Sequence, residues 1–509
     1  MPTLRLRNLT EAFSRRLFST SGLVRTFNAG KISPFITKLL KSRDITITEK
    51  DCQAELRKPL LDVLHDRGLI KTCINEDGLR KIIATKKVGL YCGADPTAKS
   101  LHLGNLLPLM ILLHFNLRGH NIFPLIGGAT GAVGDPSGRT TERTSMTNDS
   151  RADHVYRISH QLLNFFQTGI KYASTRNPAI DDTNCGVLDL KNNYKWWGEM
   201  GMLQFLSTYG RFIRVNQMLA RDSVKRRISS EQGIGFNEFT YQVLQAYDFY
   251  YLNRTYGVDV QVGGKDQYGN IVAGIDFISR LNKEDNKNNG KKQQNSCFGL
   301  TAPLLTTASG VKFGKSAGNA IFIDPELTPT FDIYQFMYRV ADEDVERFLH
   351  MFSLLPLPVI DKVVEAHMHD KYTRFGQTVL ACEICDLIYG DGTGLINHNM
   401  SKLIFENPKT VDADQIIEAF SVQPDLLTKL TMKQALGLSV PNLLYIMSHG
   451  VKSKNHFRRM MKTGAVRNGK SRKMKLMDPR NLLKRKDLID EKLLILKAGK
   501  DVYIAKITE

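Results

Sequence analysis

The stretch YCGADPTAKSLHLGN, at positions 91–105, decides the fold of this chain. It joins a short apolar run, 88–92, to a leucine-rich segment, 106–117, and these lengths are typical of a buried strand and a packed helix. A glycine and the turn Asp95-Pro96-Thr97 separate the two elements. Because backbone N–H groups and the helix dipole favour anions at such a junction, the stretch predicts an α/β sheet with a nucleotide site at its strand ends.

Two further apolar runs end in glycine turns. Residues 122–126 lead into GGATGAVGDPSGR (127–139), and residues 258–262 lead into GGKDQYGN (263–270). Glycine at this density indicates close approach of the backbone to a ligand, or positive φ angles. The first turn and the segment 310–316 both lack the spacing of a P-loop, so neither is assigned to that class.

A helical pattern over 198–252 ends in the aromatic segment FTYQVLQAYDFYYL, residues 239–252. Tyr241, Gln245 and Asp248 recur there at i, i+4 and i+7, so they share one face of the helix. Polar groups on a face that is otherwise apolar predict a lined pocket.

The length of 509 residues predicts two to four domains, and 42% hydrophobic residues suffice for their cores. No apolar run is long enough for a membrane span, so no membrane partner is predicted. The net charge of +19 is concentrated at the two ends. Residues 1–43 hold nine Arg and Lys against one acid, and residues 451–509 hold eighteen against six.

The two basic ends differ in kind. The first is rich in hydroxyl residues and nearly free of acids, which favours a mitochondrial transit peptide over a basic arm that remains and touches RNA. The second implies a polyanionic partner.

The seven cysteines are scattered and odd in number, which indicates reduced thiols rather than a disulfide scaffold. Cys382 and Cys385, preceded by His367 and His369, have the spacing of metal ligands. Their apolar, helix-like surroundings favour core packing, so no metal site is predicted.

Together these motifs resemble the class I aminoacyl-tRNA synthetases, and within them the tyrosyl-tRNA synthetases of bacterial and mitochondrial type. Five segments in the family's order carry the resemblance, namely 91–105, 127–139, 241–248, 262–270 and KFGKS at 312–316. The resemblance implies a Rossmann-like catalytic domain, an α-helical anticodon-binding domain and a small basic α+β RNA-binding domain. The implied boundaries are 1–43 for the transit peptide or basic extension, 44–324 for the catalytic domain with a dimer-interface insertion at about 198–228, 325–435 for the helical domain and 436–509 for the RNA-binding domain.

The resemblance also implies roles for individual residues. Tyrosine would be bound through its phenol by Tyr91 and Asp248 and through its ammonium group by Asp135, Tyr241 and Gln245. ATP would be bound by Gly93, Asp95, Asn105, Gly264, Asp266, Gln267 and Lys315. The catalytic contacts to the phosphates would come from Thr97, His102, Lys312, Lys315, Arg139 and Arg143. The RNA contacts would come from Arg458, Arg459, Lys462, Arg467 and Lys470.

Two positions depart from the family pattern. Asn105 stands where the family has a second histidine, so it keeps a neutral N–H donor but cannot become cationic. Arg139 stands where a lysine is common, and its planar fork binds phosphate in a different geometry.

The resemblance implies that the chain activates L-tyrosine with ATP and Mg²⁺ and transfers it to mitochondrial tRNA(Tyr), as a homodimer in the mitochondrial matrix. Two alternatives remain open at this point. One is a synthetase relative that has become a structural RNA-binding protein of the organelle, and the other is the same reaction with tryptophan.

Overall fold

The structure is a computed structural model. It describes residues 29–137, 141, 146–231, 233–289, 296–308, 310, 315–316, 319–405, 413–421, 427–469, 475–499 and 501–508. These residues form two compact units. The first unit contains the chain up to residue 329 together with 340–380 and 387–390, and the second contains 330–339, 381–386 and 391 onward.

A six-stranded sheet organises the first unit, in the order β1-β6-β5-β2-β3-β4. All neighbouring strands are parallel except β1, which runs antiparallel to β6 at the edge. The strands are β1 (Thr72–Ile74), β2 (Gly89–Ala94), β3 (Asn121–Ile126), β4 (Lys191–Asn192), β5 (Val258–Gly264) and β6 (Phe298–Ala302). A two-stranded ribbon, β7 (Lys315–Ser316) with β8 (Asn319–Ala320), follows in sequence.

The central strands are buried and their residues are mostly apolar, as in a sheet covered by helices on each side. Tyr91 of β2 pairs with Phe123 of β3 on one side and with Gln261 of β5 on the other. The register places the carboxyl ends of these three strands beside one another, so the loops that follow them meet at one edge of the sheet.

Helices surround this sheet. Those that belong wholly to the first unit are α1 (Pro34–Lys41), α2 (Glu49–Arg57), α3 (Leu60–Asp66), α4 (Glu76–Thr85), α5 (Leu106–Leu117), α6 (Thr130–Val133), α7 (Asn148–Arg176), α8 (Tyr194–Trp197), α9 (Met202–Thr208), α10 (Val215–Leu219), α11 (Asp222–Ile228), α12 (Phe236–Tyr256), α13 (Tyr268–Asn289), α15 (Asp342–Phe352) and α16 (Leu357–His369). Helix α5 has the predicted bounds, and nearly all its side chains are buried.

The second unit combines helices with a four-stranded sheet of order β10-β11-β12-β9. The strands are β9 (Leu427–Thr431), β10 (Val466–Asn468), β11 (Leu493–Ala498) and β12 (Asp501–Thr508). Its helices are α14 (Thr330–Tyr338), α18 (Thr393–Phe405), α19 (Ala413–Ser421), α20 (Met432–Gly437), α21 (Val440–Met447) and α22 (Lys454–Lys462), while α17 (Phe375–Tyr389) contributes residues to both units.

The α/β fold class is confirmed, including a small α+β module at the C-terminal end. Three local predictions were wrong. Residues 55–85 have a pattern that indicates a helix, but they are not wholly helical, since strand β1 lies within them at the edge of the sheet. The polar run 282–296 has the composition of an exposed loop, but α13 continues into it as far as Asn289. The largely helical region predicted up to about residue 435 contains strand β9.

The domain boundaries stay predictions, but the start of the fold has a clear marker. Helix α1 lies within the segment 1–43, and its Ile36 and Leu40 are fully buried. The Ser33 backbone N–H donates to the Thr175 carbonyl, which ties this helix to α7.

Across the described residues, no helix combines the length and apolar character that a bilayer crossing requires.

Candidate active site

The carboxyl ends of β2, β3 and β5 bring three turns together, as their register requires. The turn after β2 carries Asp95, the turn after β3 is glycine-rich, and the turn after β5 carries Asp266. A side chain added at Gly93 would meet no atom of the described residues within 4 Å, so among them the end of β2 faces open space. A bound nucleotide can approach the backbone there.

Two glycines of the turn after β3 pack too tightly for a side chain at their positions. A Cβ atom at Gly127 would lie 2.0 Å from Asp95 Oδ1, and one at Gly131 would lie 2.7 Å from Pro96 Cδ. The glycines that the sequence shows at these positions therefore allow the two turns to touch.

Asp95 is held by two donors across this contact. The Tyr241 hydroxyl donates to Oδ2 at 2.8 Å, and the Thr130 hydroxyl donates to Oδ1 at 2.8 Å. Thr130 in turn accepts from the Asn193 side-chain amide at 2.9 Å. Burial, together with the negative charge of Asp95, holds the pKa of the Tyr241 hydroxyl well above its usual value, so Tyr241 remains a proton donor.

Asp248 of α12 is buried and only 2% exposed. Its Oδ1 accepts from the indole N–H groups of Trp196 and Trp197, both at 2.7 Å, and its Oδ2 accepts from the Asn193 amide at 3.0 Å. Burial raises the pKa of Asp248 to about 7, although these three donors oppose the rise. The carboxylate is thus stabilised by neutral N–H groups in place of a cation.

The Tyr91 hydroxyl shares this buried region. Its ring packs on Phe249 at 5.3 Å, and its hydroxyl has no hydrogen-bond partner among the residues that the structure describes. Burial, and then the charge of Asp248, raise the pKa of Tyr91 well above its usual value. A buried hydroxyl without a partner beside a buried carboxylate is the arrangement that a ligand hydroxyl would complete.

A second network links the turns after β3 and β5. Gln267 donates to Asp135 Oδ2 at 2.7 Å, while the Ser137 backbone N–H donates to Asp135 Oδ1 at 2.8 Å. Gln245 donates to Gln267 at 3.2 Å, and Asn270 donates to Gln245 at 3.0 Å. Asp135 and Gln245, both predicted to bind the substrate ammonium group, are therefore joined through Gln267.

The turn before α5 orders His102, Asn105 and Thr97. The Asn105 side-chain oxygen accepts from the His102 backbone N–H at 2.9 Å, and the Thr97 N–H donates to the Asp95 carbonyl at 2.8 Å. The residue that replaces the family's second histidine therefore closes the turn that carries the first.

At the end of β5, the Asp266 side chain is exposed, and Gly264 precedes it closely enough that a Cβ atom would lie 2.5 Å from its carboxylate. An exposed carboxylate at a strand end is suited to accept from ribose hydroxyls.

Several predicted residues cannot be placed. Lys312, Arg139, Arg143 and Lys470 lie outside the described residues, and Lys315 is described only by its backbone in β7. The predicted RNA contacts Arg458, Arg459 and Lys462 lie on α22, and Arg467 lies on β10. All four side chains are exposed, while Phe457 and Met461 bury the opposite face of α22.

The sequence analysis missed the residues that hold Asp248 and Asp95. These are Thr130, Asn193, Trp196 and Trp197, to which the second network adds Asn270. A signal was present, because both tryptophans of the chain lie in the run NNYKWW at 192–197. This run follows β4, and Asp248 of α12 lies more than 50 residues later in the sequence. The two segments meet only in the folded chain.

The segment of the predicted dimer insertion exposes an apolar surface. Met202 is 68% exposed, Leu203 is 82% exposed and Phe236 is 72% exposed. Four neighbours in sequence are also exposed, namely Leu206, Val215, Leu219 and Ile228. So much exposed apolar surface in one segment is typical of an interaction site.

Comparison with known proteins agrees with this fold. The family model described as "tRNA synthetases class I (W and Y)" matches residues 84–404, and the chain belongs to this family. A curated relative, the mitochondrial tyrosine–tRNA ligase of Saccharomyces cerevisiae, is 46% identical over 444 residues, which are 87% of each chain.

Two solved structures are similar as well, both of C-terminally truncated mitochondrial tyrosyl-tRNA synthetases. That of Coccidioides posadasii has a TM-score of 0.61 and 34% identity, and the match covers 77% of this chain and 100% of the other. That of Aspergillus nidulans has a TM-score of 0.62 and 34% identity, covering 70% and 99%.

Proposed function

We propose that this chain is a tyrosine–tRNA ligase, which activates L-tyrosine with ATP and transfers the tyrosyl group to the 3′-terminal adenosine of tRNA(Tyr). The observation that carries this proposal is the buried Asp248 carboxylate together with the Tyr91 hydroxyl, which is buried without a partner among the described residues. The relatives' names supply the reaction, and these two groups supply the selectivity.

Tyrosine would be selected at the bottom of the pocket. Its phenol O–H would donate to Asp248, and its phenol oxygen would accept from Tyr91. Phenylalanine would leave the Tyr91 hydroxyl and the remaining acceptor position of Asp248 unfilled in a buried site, which costs more than the hydrogen bonds are worth on the surface.

The other end of the substrate would lie near the second network. Its ammonium group would contact Asp135, Tyr241 and Gln245, which directs its carboxylate toward the open space above Gly93. That carboxylate would attack the α-phosphorus of ATP, forming a P–O bond as the bond to pyrophosphate breaks. The enzyme contributes positioning and stabilisation of phosphate charge, and no covalent enzyme intermediate is needed.

The remaining contacts to ATP follow the family resemblance. Thr97 and His102 would contact the phosphates, Asp266 the ribose, and the lysines of the KFGKS loop the leaving pyrophosphate. Mg²⁺ would arrive with the ATP phosphates, since it is usually bound through substrate phosphates.

The tRNA would contact the exposed basic residues of α22 and β10. The exposed apolar surface around Leu203 would pair with its copy in a homodimer.

We also propose a mitochondrial location, which rests on the relatives' names and on the basic N-terminal segment. Processing would occur before Ser33, because removal of 1–43 would also remove the buried Ile36 and Leu40.

The test is exchange of labelled pyrophosphate into ATP with tyrosine, phenylalanine or tryptophan as the amino acid. We expect exchange with tyrosine alone, and its loss in Asp248→Ala. Asp259→Asn changes another buried carboxylate, located at the start of β5, and should retain selectivity. Absence of tyrosine-dependent exchange would favour the structural RNA-binding alternative, and equal exchange with phenylalanine or tryptophan would refute the assignment of the pocket.

A further inference from the structure

The chain has two tryptophans, and both donate to the same carboxylate oxygen. Trp196 and Trp197 are neighbours at the end of the short helix α8, and each indole N–H lies 2.7 Å from Asp248 Oδ1. The resemblance that predicted Asp248 gave no role to either residue.

The two indoles are held in different ways. Trp196 is buried and stacks on Tyr251, with ring centroids 4.4 Å apart. Trp197 is half-buried and packs against Phe205 at 5.3 Å and Tyr247 at 4.9 Å. Two separate packing arrangements therefore orient two donors toward one atom.

This convergence makes the two oxygens of Asp248 unequal. A carboxylate oxygen has two lone pairs, and the two indoles occupy both lone pairs of Oδ1. Oδ2 accepts from Asn193 at 3.0 Å and retains one acceptor position. Without the second indole, both oxygens of Asp248 would have an acceptor position open to a substrate hydroxyl. The carboxylate would also rotate more freely.

We propose that Trp197 is a positioning residue for amino-acid selection, which acts with Trp196 to saturate Oδ1 and to leave Oδ2 as the single acceptor for the tyrosine phenol. This inference rests on the proposed tyrosine-activating function. Among the described residues, Tyr91, Tyr241 and Asp95 interact electrostatically with Asp248, and none of these three supplies positive charge. The two indole N–H groups therefore stabilise the buried carboxylate, as a cation does in other buried carboxylate sites.

The first test removes the donor and keeps an aromatic ring. In Trp197→Phe, the KM for tyrosine should rise about tenfold with kcat little changed, since one hydrogen bond to a charged group is lost. The ratio of kcat/KM for tyrosine over phenylalanine should fall by a similar factor, because phenylalanine does not use the carboxylate. The matched control is Phe205→Leu, which disturbs the packing of Trp197 but leaves its N–H group in place.

The outcomes separate a positioning role from a packing role. An unchanged tyrosine-to-phenylalanine ratio in Trp197→Phe, or an equal fall in Phe205→Leu, would overturn the inference. If wild-type protein showed no tyrosine-dependent exchange, the proposed function and the inference would fall together. Active wild type with an unaltered Trp197→Phe variant would reject the inference alone.

The second test uses unmutated protein, so it does not depend on the folding of a variant. With ¹⁵N-labelled tryptophan, the indole N–H region should show two signals, both from this site. Both should shift when tyrosine binds, and both should titrate with one midpoint, since they report on the same carboxylate. A signal from Trp197 that stays fixed on tyrosine addition and across the titration would overturn the inference.

Discussion

At the scale of the residue, the three hydrogen-bond donors to the buried Asp248 carboxylate are neutral. The carboxylate therefore lowers the stability of the fold while it favours the selection of tyrosine. Asp248 loses the hydrogen bonds of its hydration water on folding, and three N–H donors of the protein replace part of that stabilisation. Its pKa of about 7 shows that the recovery is incomplete in the free protein. A substrate hydroxyl would supply a fourth donor, so tyrosine binding itself would relieve a cost present in the fold.

This cost predicts a pH dependence of stability. The pKa of Asp248 is 3.8 in the unfolded reference and about 7 in the folded chain, so the folded state binds the proton more tightly. Stability contributed by this group is therefore lost as pH rises from about 4 to about 7, by on the order of 4 kcal/mol. Asp248→Asn removes this loss, and its free energy of unfolding relative to wild type should increase between pH 5 and pH 8 in urea titrations. A difference that does not vary with pH would contradict the assignment.

A second prediction concerns the Tyr91 hydroxyl, which is buried without a partner among the described residues. Tyr91→Phe should leave the melting temperature unchanged or raise it, because the variant no longer buries an unpaired polar group. The same change should raise the KM for tyrosine about fivefold, the value of one neutral hydrogen bond. Calorimetry and pyrophosphate exchange measure the two effects. A fall in stability together with an unchanged KM would show that the hydroxyl has a structural role instead.

The partners of Asp248 show which contacts of a residue can be predicted from the sequence and which cannot. Tyr241, Gln245 and Asp248 could be grouped because a helix repeats every 3.6 residues, and one segment contains all three. The partners Asn193 and Trp197 lie more than 50 residues before Asp248, so no local periodicity connects them. Their role depends on the packing of α8 against α12.

At the scale of the element, the glycines of the turns after β2 and β3 have different structural roles. Gly127 allows contact between two turns, whereas Gly93 leaves room for a ligand. The resemblance implied an ATP contact for Gly93, and the glycine-rich turn at 127–139 predicted close approach to a ligand or positive φ angles. The sequence could not show that the group against Gly127 is a carboxylate of the protein.

This difference predicts opposite effects for one substitution. Gly127→Ala places a methyl group against the Asp95 carboxylate and should destabilise the protein by about 1–3 kcal/mol, with loss of exchange activity. Gly93→Ala meets open space, so it should fold with a nearly normal melting temperature and raise the KM for ATP. Thermal unfolding and exchange kinetics compare the two variants. Equal destabilisation by both would contradict the distinction.

Helix α1 supports a further prediction about the start of the mature chain. A chain beginning at Asp44 loses the burial of Ile36 and Leu40 and should be less stable than one beginning at Gly30, by about 3–6 kcal/mol. Urea unfolding of the two truncated chains measures this difference. Two point variants in the full chain serve as checks: Ile36→Ala should destabilise it, and Lys38→Ala, on the exposed face of α1, should not.

The elements themselves were predictable to different degrees. Helix α5 and the central strands have strong apolar patterns, and their positions were predicted to within about two residues. Strand β1 has three half-buried residues between helices, so its pattern is too short to distinguish from its surroundings. Strand β9 resembles its neighbours in the same way, and pairing with β12, more than 70 residues later, defines it.

At the scale of the whole molecule, the exposed apolar surface around Leu203 predicts self-association. Leu203→Glu should shift the protein from dimer to monomer in analytical ultracentrifugation, because a charge would be buried at a two-fold interface. Met368→Glu introduces the same charge at a half-exposed apolar residue of α16 and should leave the dimer intact. A wild-type protein that sediments as a monomer would reject the homodimer.

The course of the chain limits how this protein can be taken apart. The polypeptide passes from one compact unit to the other at 329, 339, 380, 386 and 390, and α17 supplies residues to both. A single proteolytic nick cannot liberate either unit as an intact fragment. A shortened form that ends at residue 390 retains sixteen residues of the second unit, 330–339 and 381–386, without the rest of it. A comparison of full-length and shortened chains therefore measures the effect of leaving these two segments without the rest of their unit, as well as the effect of the part removed.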